Sequence, residues 1–317
     1  MRAVRCREGS VQVVEVPEPA GDGVRVAIRS AGICGSDLHM VGAGGDLPFT
    51  LGHELAGTTP DGTAVAIEPL LPCGSCDRCR RGDYNLCVLS PGTVIGAGHD
   101  GGMADALVVP ERCLVPLAPG VDVADACLVE PLAVAVHGLR RSGLPEDGRV
   151  LVVGGGAIGL CTVAAARAAG AREVALAGRH DSQREAGARL GARPHDADEA
   201  PFDLVVDAAG NAGALQQAVA HCRPGGRLLL VASYWEGLEL PGFALCMKEI
   251  DVLPASMYGR AEGGRDVDVA ARLLASDPEI APALITHRFP LDAASEAFRA
   301  AADRRAGAIK VVLEPGS

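Results

Sequence analysis

The stretch GRVLVVGGGAIGLCTVAAARAAGA, residues 148–171, leaves this chain few folds to choose from. An apolar run rich in β-branched residues enters a glycine turn that opens at once into an alanine-rich helical segment. The turn fits G-x-G-x-x-G as Gly154, Gly156 and Gly159, with Ala157 and Ile158 between the last two. Such a pattern is weak alone, because a structural strand–helix turn can mimic it; its place directly after a strand and before a helix makes it a dinucleotide-binding signature. The first glycine permits the tight turn, the second lets the backbone approach a pyrophosphate, and the third lets helix and strand pack closely. The helix N-terminus then faces the anion. EVALAG, DLVVDAAG and GRLLLVAS read as further short buried strands, with helical stretches such as GALQQAVAHCR between them. This alternation predicts an α/β fold with a doubly wound parallel sheet.

The second strand of that sheet bears on the choice of coenzyme. A site for NAD usually ends it with an acidic residue that accepts from the ribose hydroxyls. Here EVALA runs into GRHDSQR, with Gly178 and Arg179 where the acid would stand and His180 next to them. Loss of the carboxylate and gain of a guanidinium suit a 2′-phosphate, so NADP(H) is favoured over NAD(H). The competing reading is a solvated basic loop.

Upstream, to about residue 125, the texture is different. Short Val-rich runs such as VRVAIRSAG and TAVAIEP alternate with Gly and Pro, which predicts a mainly β domain with irregular loops. At 317 residues the chain can hold two domains with proper cores. Aromatic residues make up only 3% of it, so aliphatic residues and alanine must fill those cores. A formal net charge of -11 without a basic run argues against a nucleic-acid partner. No apolar stretch approaches the roughly 20 residues that span a bilayer, and the N-terminus lacks an apolar signal core. A cytoplasmic protein with no membrane partner is expected.

Eleven cysteines in such a chain point to metal sites or free thiols rather than a disulfide framework. Four of them fall in CGSCDRCRRGDYNLC, as Cys73, Cys76, Cys79 and Cys87. This spacing lets the sulfurs of one loop converge on a tetrahedral ion, and four thiolates make a closed, structural zinc site. An iron–sulfur cluster also uses four cysteines, but nothing else in the sequence suggests electron transfer. A second set is dispersed: Cys34, Ser36, Asp37 and His39 in GICGSDLHM, and His53 and Glu54 in LGHELAG. Singly, Cys34 and His53 would pass as core residues. A further carboxylate, Glu130, sits in the apolar run LVEPLAVAVHG, where an ionised group needs a partner or a metal.

Taken in order, GICGSD, GHE, the four-cysteine segment, VEPLAVAVH, GGGAIG and the closing AIKVVLEP resemble the zinc-dependent medium-chain dehydrogenase/reductase superfamily over nearly the whole chain. The EPLAVA segment is similar to the branch of sorbitol, threonine, sugar and aminocyclitol dehydrogenases. The resemblance implies a GroES-like catalytic domain over 1–131 that carries the structural zinc lobe, a Rossmann domain over 132–259, and a C-terminal segment, 260–317, returning to the catalytic domain. It implies a catalytic zinc held by Cys34, His53 and Glu130, hence two zinc ions per chain with the structural one. By the same resemblance Glu54 lies near the metal as a supporting residue or alternate ligand, and Asp37 orients the His53 imidazole. Ser36 would exchange the substrate proton and pass it through the cofactor ribose to His39 and solvent. The competing reading of that pair is a serine in a turn and a surface histidine. One departure stands out. After GHE the family has a longer hairpin before its GDxV segment, whereas this chain has only LAGTTPDGTAVAIEP there.

The expected activity is hydride transfer between NADP(H) and a secondary alcohol or ketone of a polar, polyhydroxylated small molecule such as a sugar, polyol or aminocyclitol, with a biosynthetic ketoreductase as one form of it. The alternative is an NAD-dependent polyol or threonine-type dehydrogenase working oxidatively. A non-catalytic zinc- and nucleotide-binding protein is the reading from another class; the intact set of Cys34, Ser36, His39, His53 and Glu130 argues against it. Tyr234, Trp235 and Tyr258 follow strands of the Rossmann type and are candidates either for the substrate cleft or for domain packing. Family resemblance also implies a homodimer or homotetramer.

Overall fold

In a computed structural model of the chain, which describes residues 1–90, 92–235 and 237–316, the stretch 148–171 forms the strand Arg149–Val153 and the helix Ala157–Ala168, joined by the glycine turn. The chain divides into two units, Met1–Glu130 with Gly259–Ser317, and Pro131–Tyr258.

The second unit is built on six parallel strands in the spatial order Arg193–Pro194, Glu173–Ala177, Arg149–Val153, Phe202–Asp207, Cys222–Leu230, Asp251–Pro254. Numbered along the chain this is 3-2-1-4-5-6, the doubly wound order, as the strand–helix alternation predicts. Parallel strands are covered on both faces and so read as continuous apolar runs rather than alternating ones. Val150, Leu151, Val152, Leu204, Val205 and Val206 are accordingly all fully buried. Each such side chain contributes about 1.5–3 kcal/mol of burial, which lets a core with hardly any aromatics hold. The order reverses between Arg149–Val153 and Phe202–Asp207, and the crevice at the carboxyl ends of those two strands is where this topology places ligands.

The first unit is mainly β. Its seven-stranded sheet runs Ile285–Pro290, Lys310–Glu314, Val24–Gly32, Glu54–Thr58, Ala64–Ile67, Leu114–Pro116, with Ala106–Val109 also paired to Val24–Gly32. The last strand of the chain, Lys310–Glu314, thus lies against Val24–Gly32. Near the end of Val24–Gly32, Gly32 faces Val312 on one side and Glu54 on the other. The abbreviated hairpin is a tight turn: Thr59 N–H donates to the Thr63 carbonyl at 3.0 Å, and Gly62 N–H to the Thr59 carbonyl at 2.9 Å. The strands it joins, Glu54–Thr58 and Ala64–Ile67, keep a regular antiparallel register from Leu55↔Ile67 to Thr58↔Ala64. No described helix is long and apolar enough to cross a membrane.

Candidate functional site

Two groups of metal-type donors form within the first unit. In one, Cys34, His53 and Glu54 each offer a ligand atom, all within 4.8 Å of one another. Cys34 precedes the helix Gly35–Gly42, and its N–H donates to Asp37 Oδ2 at 2.9 Å. The strand pairing of Gly32 with Glu54 brings the GHE segment alongside. The other oxygen of Asp37 lies 3.5 Å from His53 Nδ1, and neither buried atom has a hydrogen-bond partner. A small closure of that gap would make the carboxylate–imidazole bond that orients a metal-binding histidine. Burial opposes charge on His53, yet Asp37 and Cys34 together hold its pKa well above the usual histidine range. A soft sulfur, an imidazole and a carboxylate in an electron-rich, nearly dry setting fit a zinc ion.

Glu54 is held from behind. Lys310 Nζ donates to both of its carboxylate oxygens, at 2.7 and 2.5 Å, and to the Ile33 carbonyl at 3.1 Å. Gly32 makes room for this arrangement, since a Cβ there would stand 2.1 Å from Glu54 Oε2. Glu130, buried in the first turn of the helix Val129–Ser142, falls outside the donor group. Ser36 is half-buried and His39 exposed, three residues apart on the helix Gly35–Gly42 and therefore on one face.

The second group unites Cys73, Cys76, Cys79 and Cys87. The Cys79 sulfur lies 3.9 Å from that of Cys73 and 3.5 Å from that of Cys76. Zinc–sulfur bonds of about 2.3 Å would put tetrahedral sulfurs about 3.8 Å apart, so the loop closes to the right size for zinc. Backbone N–H groups of Ser75 and Cys76 turned toward Cys73 lower its thiol to about 6, which favours the thiolate that a metal needs. All eleven cysteines are free thiols.

In the second unit the glycine turn shows why its first and third glycines are required. Gly154 has φ +109°, and a Cβ on it would meet the Ala209 nitrogen at 2.9 Å. A Cβ on Gly159 would lie 1.8 Å from the Gly154 carbonyl oxygen. Gly156 precedes the helix Ala157–Ala168 and faces open space, which leaves that helix N-terminus accessible to an anion. At the end of the strand Glu173–Ala177, the Arg179 and His180 N–H groups both donate to Gln183 Oε1, at 3.0 and 3.3 Å. The Arg179 side chain is exposed and has no ion-pair or hydrogen-bond partner among the described residues. The neighbouring Arg184 is spent on the Gly178 and Arg179 carbonyls and on Asp181. Arg179 is thus a cation on a pinned backbone, available to a ligand.

Sequence reasoning passed over two residues in particular. Lys310 is one of two lysines in the chain, and nothing in the sequence around it pairs it with Glu54. Asp207, fully buried at the end of its strand, accepts from the Ala209 and Gly210 N–H groups at 2.8 and 3.1 Å and from Tyr234 Oη at 2.9 Å. That bond ties Tyr234 to the sheet of its own unit. Tyr258 is fully buried and Trp235 is exposed.

Comparison with known proteins adds three findings. Residues 20–119 match the family described as alcohol dehydrogenase GroES-like domain, and residues 157–275 the family described as zinc-binding dehydrogenase. The chain is 32% identical over 313 residues to L-galactonate-5-dehydrogenase of Escherichia coli (strain K12), covering 90% of this chain and 89% of that protein. Among solved structures, galactitol-1-phosphate dehydrogenase from Escherichia coli superposes with a TM-score of 0.88 at 29% identity, covering 99% of this chain and 100% of that one. A zinc-binding dehydrogenase from Sinorhizobium meliloti 1021, solved bound to NADP, gives a TM-score of 0.85 at 29% identity, covering 99% of both chains.

Proposed function

This chain belongs to the zinc-dependent medium-chain dehydrogenase/reductase superfamily and is an oxidoreductase; on that premise we propose that it moves hydride between NADP(H) and a secondary alcohol or ketone of a polyhydroxylated substrate. The observation that carries the proposal is the convergence of Cys34, His53 and Glu54 donor atoms within 4.8 Å. Relatives named for galactonate and galactitol phosphate support a sugar-acid or polyol substrate. The NADP-bound relative and the unpaired Arg179 support the phosphorylated coenzyme.

Zinc, when bound, supplies Lewis-acid polarisation of the substrate oxygen, and the nicotinamide carries the hydride. The protein's own residues do the rest. Cys34 and His53 hold the ion, with Asp37 setting the plane of the imidazole. Two carboxylates are proposed for the third protein position: Glu54, grouped with the other donors, and Glu130, the residue that the sequence resemblance assigns. Ser36 Oγ takes up the substrate hydroxyl proton during oxidation and returns it during reduction, and His39 trades it with solvent. Cys73, Cys76, Cys79 and Cys87 hold a second, structural zinc.

In the second unit the helix Gly242–Lys248 and the segment before it leave Phe243, Met247, Trp235 and Leu240 exposed, at 84%, 69%, 55% and 44%. Surface of this kind on a nucleotide-binding unit supports assembly of the chain as a homodimer or homotetramer.

The test is a fluorescence titration of the zinc-loaded protein with NADPH and with NADH. Tighter NADPH binding, followed by turnover on keto-sugars or polyols, is the expected result. Tighter NADH binding overturns the coenzyme assignment, and failure of both to bind overturns the enzymatic one.

A further inference from the structure

Beside the four-cysteine lobe, within the first unit, lies a cavity of about 950 Å³. Its lining carries five arginines, Arg80, Arg81, Arg112, Arg260 and Arg265, against two carboxylates, Glu68 and Glu262. Five positive and two negative charges leave a local excess of three in a chain whose net charge is -11. The cavity shares no residue with the Cys34, His53 and Glu54 group.

The charges differ in what they already do. At the floor, buried Glu68 accepts from Tyr84 Oη at 2.5 Å and from Arg265 Nη1 at 3.0 Å. Arg265 spends its remaining donors on Asp268 and on the Arg112 and Leu114 carbonyls. That network is complete. At the rim, Arg80 reaches only Asp77, at 3.9 Å. The Arg81, Arg112 and Arg260 side chains are exposed and have no hydrogen-bond or ion-pair partner among the described residues. Gathering Arg80, Arg81, Arg112 and Arg260 around one concavity against a single further carboxylate in the lining, Glu262, raises the local potential and favours an anion there.

The backbones that carry these arginines are fixed to one another. Arg260 N–H donates to the Gly82 carbonyl at 2.9 Å, and Gly82, next to Arg81, has φ +91° with no room for a Cβ against the Arg260 carbonyl, 2.7 Å away. The Arg112 carbonyl is held by Arg265 at 2.7 Å. The backbone anchors are therefore preorganised, so binding has to order only the side chains. A planar guanidinium fork matches the paired oxygens of a phosphoryl group, and the volume suits a whole small molecule rather than a bare ion.

We propose that this cavity is a second ligand site, which takes a small phosphorylated compound between Arg81 and Arg112 and Arg260. Occupation ties the four-cysteine lobe to the segment 259–265.

Hydrogen–deuterium exchange on the zinc-loaded full chain tests this, with inorganic sulfate as a phosphate-shaped probe that does not strip zinc, against chloride at equal ionic strength. Local opening slows by 1 + [L]/Kd, so sulfate at ten times its Kd should slow exchange in segments 79–84 and 259–265 about tenfold. The triple variant Arg81→Ala, Arg112→Ala, Arg260→Ala, whose side chains hold nothing in the fold, should lose that protection. Three results would each overturn the site: no protection in the wild type, protection that survives in the triple variant, or protection confined to the glycine turn at 154–159.

Discussion

Lys310 and Glu54, 256 positions apart in the chain, form a buried ion pair in which the ammonium faces both carboxylate oxygens, at 2.7 and 2.5 Å. The side chains are 3% and 1% exposed. The third ammonium hydrogen goes to the Ile33 carbonyl, one residue before Cys34, so Lys310 has no donor left unused. One lysine therefore sets both the carboxylate and the backbone leading to the Cys34 sulfur of the same donor group.

Replacing Lys310 by Met should be severe. Removing one partner of a buried pair leaves an uncompensated charge, at a cost of about 3–5 kcal/mol. Urea unfolding of the zinc-loaded variant checks this. The double variant Lys310→Met, Glu54→Gln should recover much of the loss, because no lone charge is then buried. A single variant as stable as wild type would show that the pair contributes little.

The two candidate carboxylates separate by metal binding rather than by activity. Glu54→Gln should weaken the more labile of two bound zinc ions about 10- to 100-fold, as loss of a supporting or ligating carboxylate does. Zinc held by the four cysteines should stay. Glu130→Gln should reduce turnover while both metals are retained. Loss of the labile ion from Glu130→Gln alone would instead make Glu130 the permanent ligand and Glu54 its support.

Arg179→Ala should discriminate between coenzymes. A charge-assisted contact to the 2′-phosphate contributes about 1.5–3 kcal/mol, so NADPH affinity should fall about 10- to 100-fold. NADH affinity should hardly move. Equal losses for both would mean that Arg179 supports the loop and does not read the phosphate.

Acid stability of the second unit should depend on Glu199. Burial pushes its carboxyl up, but Arg193, the Asp196 N–H and His195 outweigh this and bring it down to about 2. Arg149 joins the same cluster at 3.0 Å. The folded value lies below the unfolded value of about 4.3, so the stabilisation is present above that pH and is lost as the pH falls through about 2. Circular dichroism against pH should show Glu199→Gln less stable at neutrality, with a flatter acid limb. Curves that merely run parallel would contradict this.

Phe243→Asp should change the assembly. Phe243 and Met247 are neighbours one turn apart on an exposed helix face. If that face is the contact between copies, sedimentation should show a smaller species for the variant with its unfolding temperature little changed. An unaltered sedimentation coefficient would place the interface elsewhere.

What could be read without the tertiary structure was carried by short spans of chain. The parallel doubly wound sheet follows from apolar runs of strand length alternating with helical segments, and residues 148–171 declare it alone, because strand, turn and helix are contiguous there. The four cysteines lie within 15 consecutive positions, from Cys73 to Cys87, and a loop that short has few ways to keep its sulfurs apart. Even so, the sequence could not say which carboxylate stands with Cys34 and His53. Sheet register decides that: Gly32 lies opposite Glu54, and its missing side chain is the space that the carboxylate occupies. Lys310 reaches Glu54 because the last strand pairs with Val24–Gly32, which also pairs with the strand of Glu54. The rim arginines gather because Gly82 accepts from Arg260 across the fold. Periodicity and spacing are local properties and can be read along a line. The partner of a buried charge is chosen by which strands lie side by side, and that is settled only when the whole chain has folded.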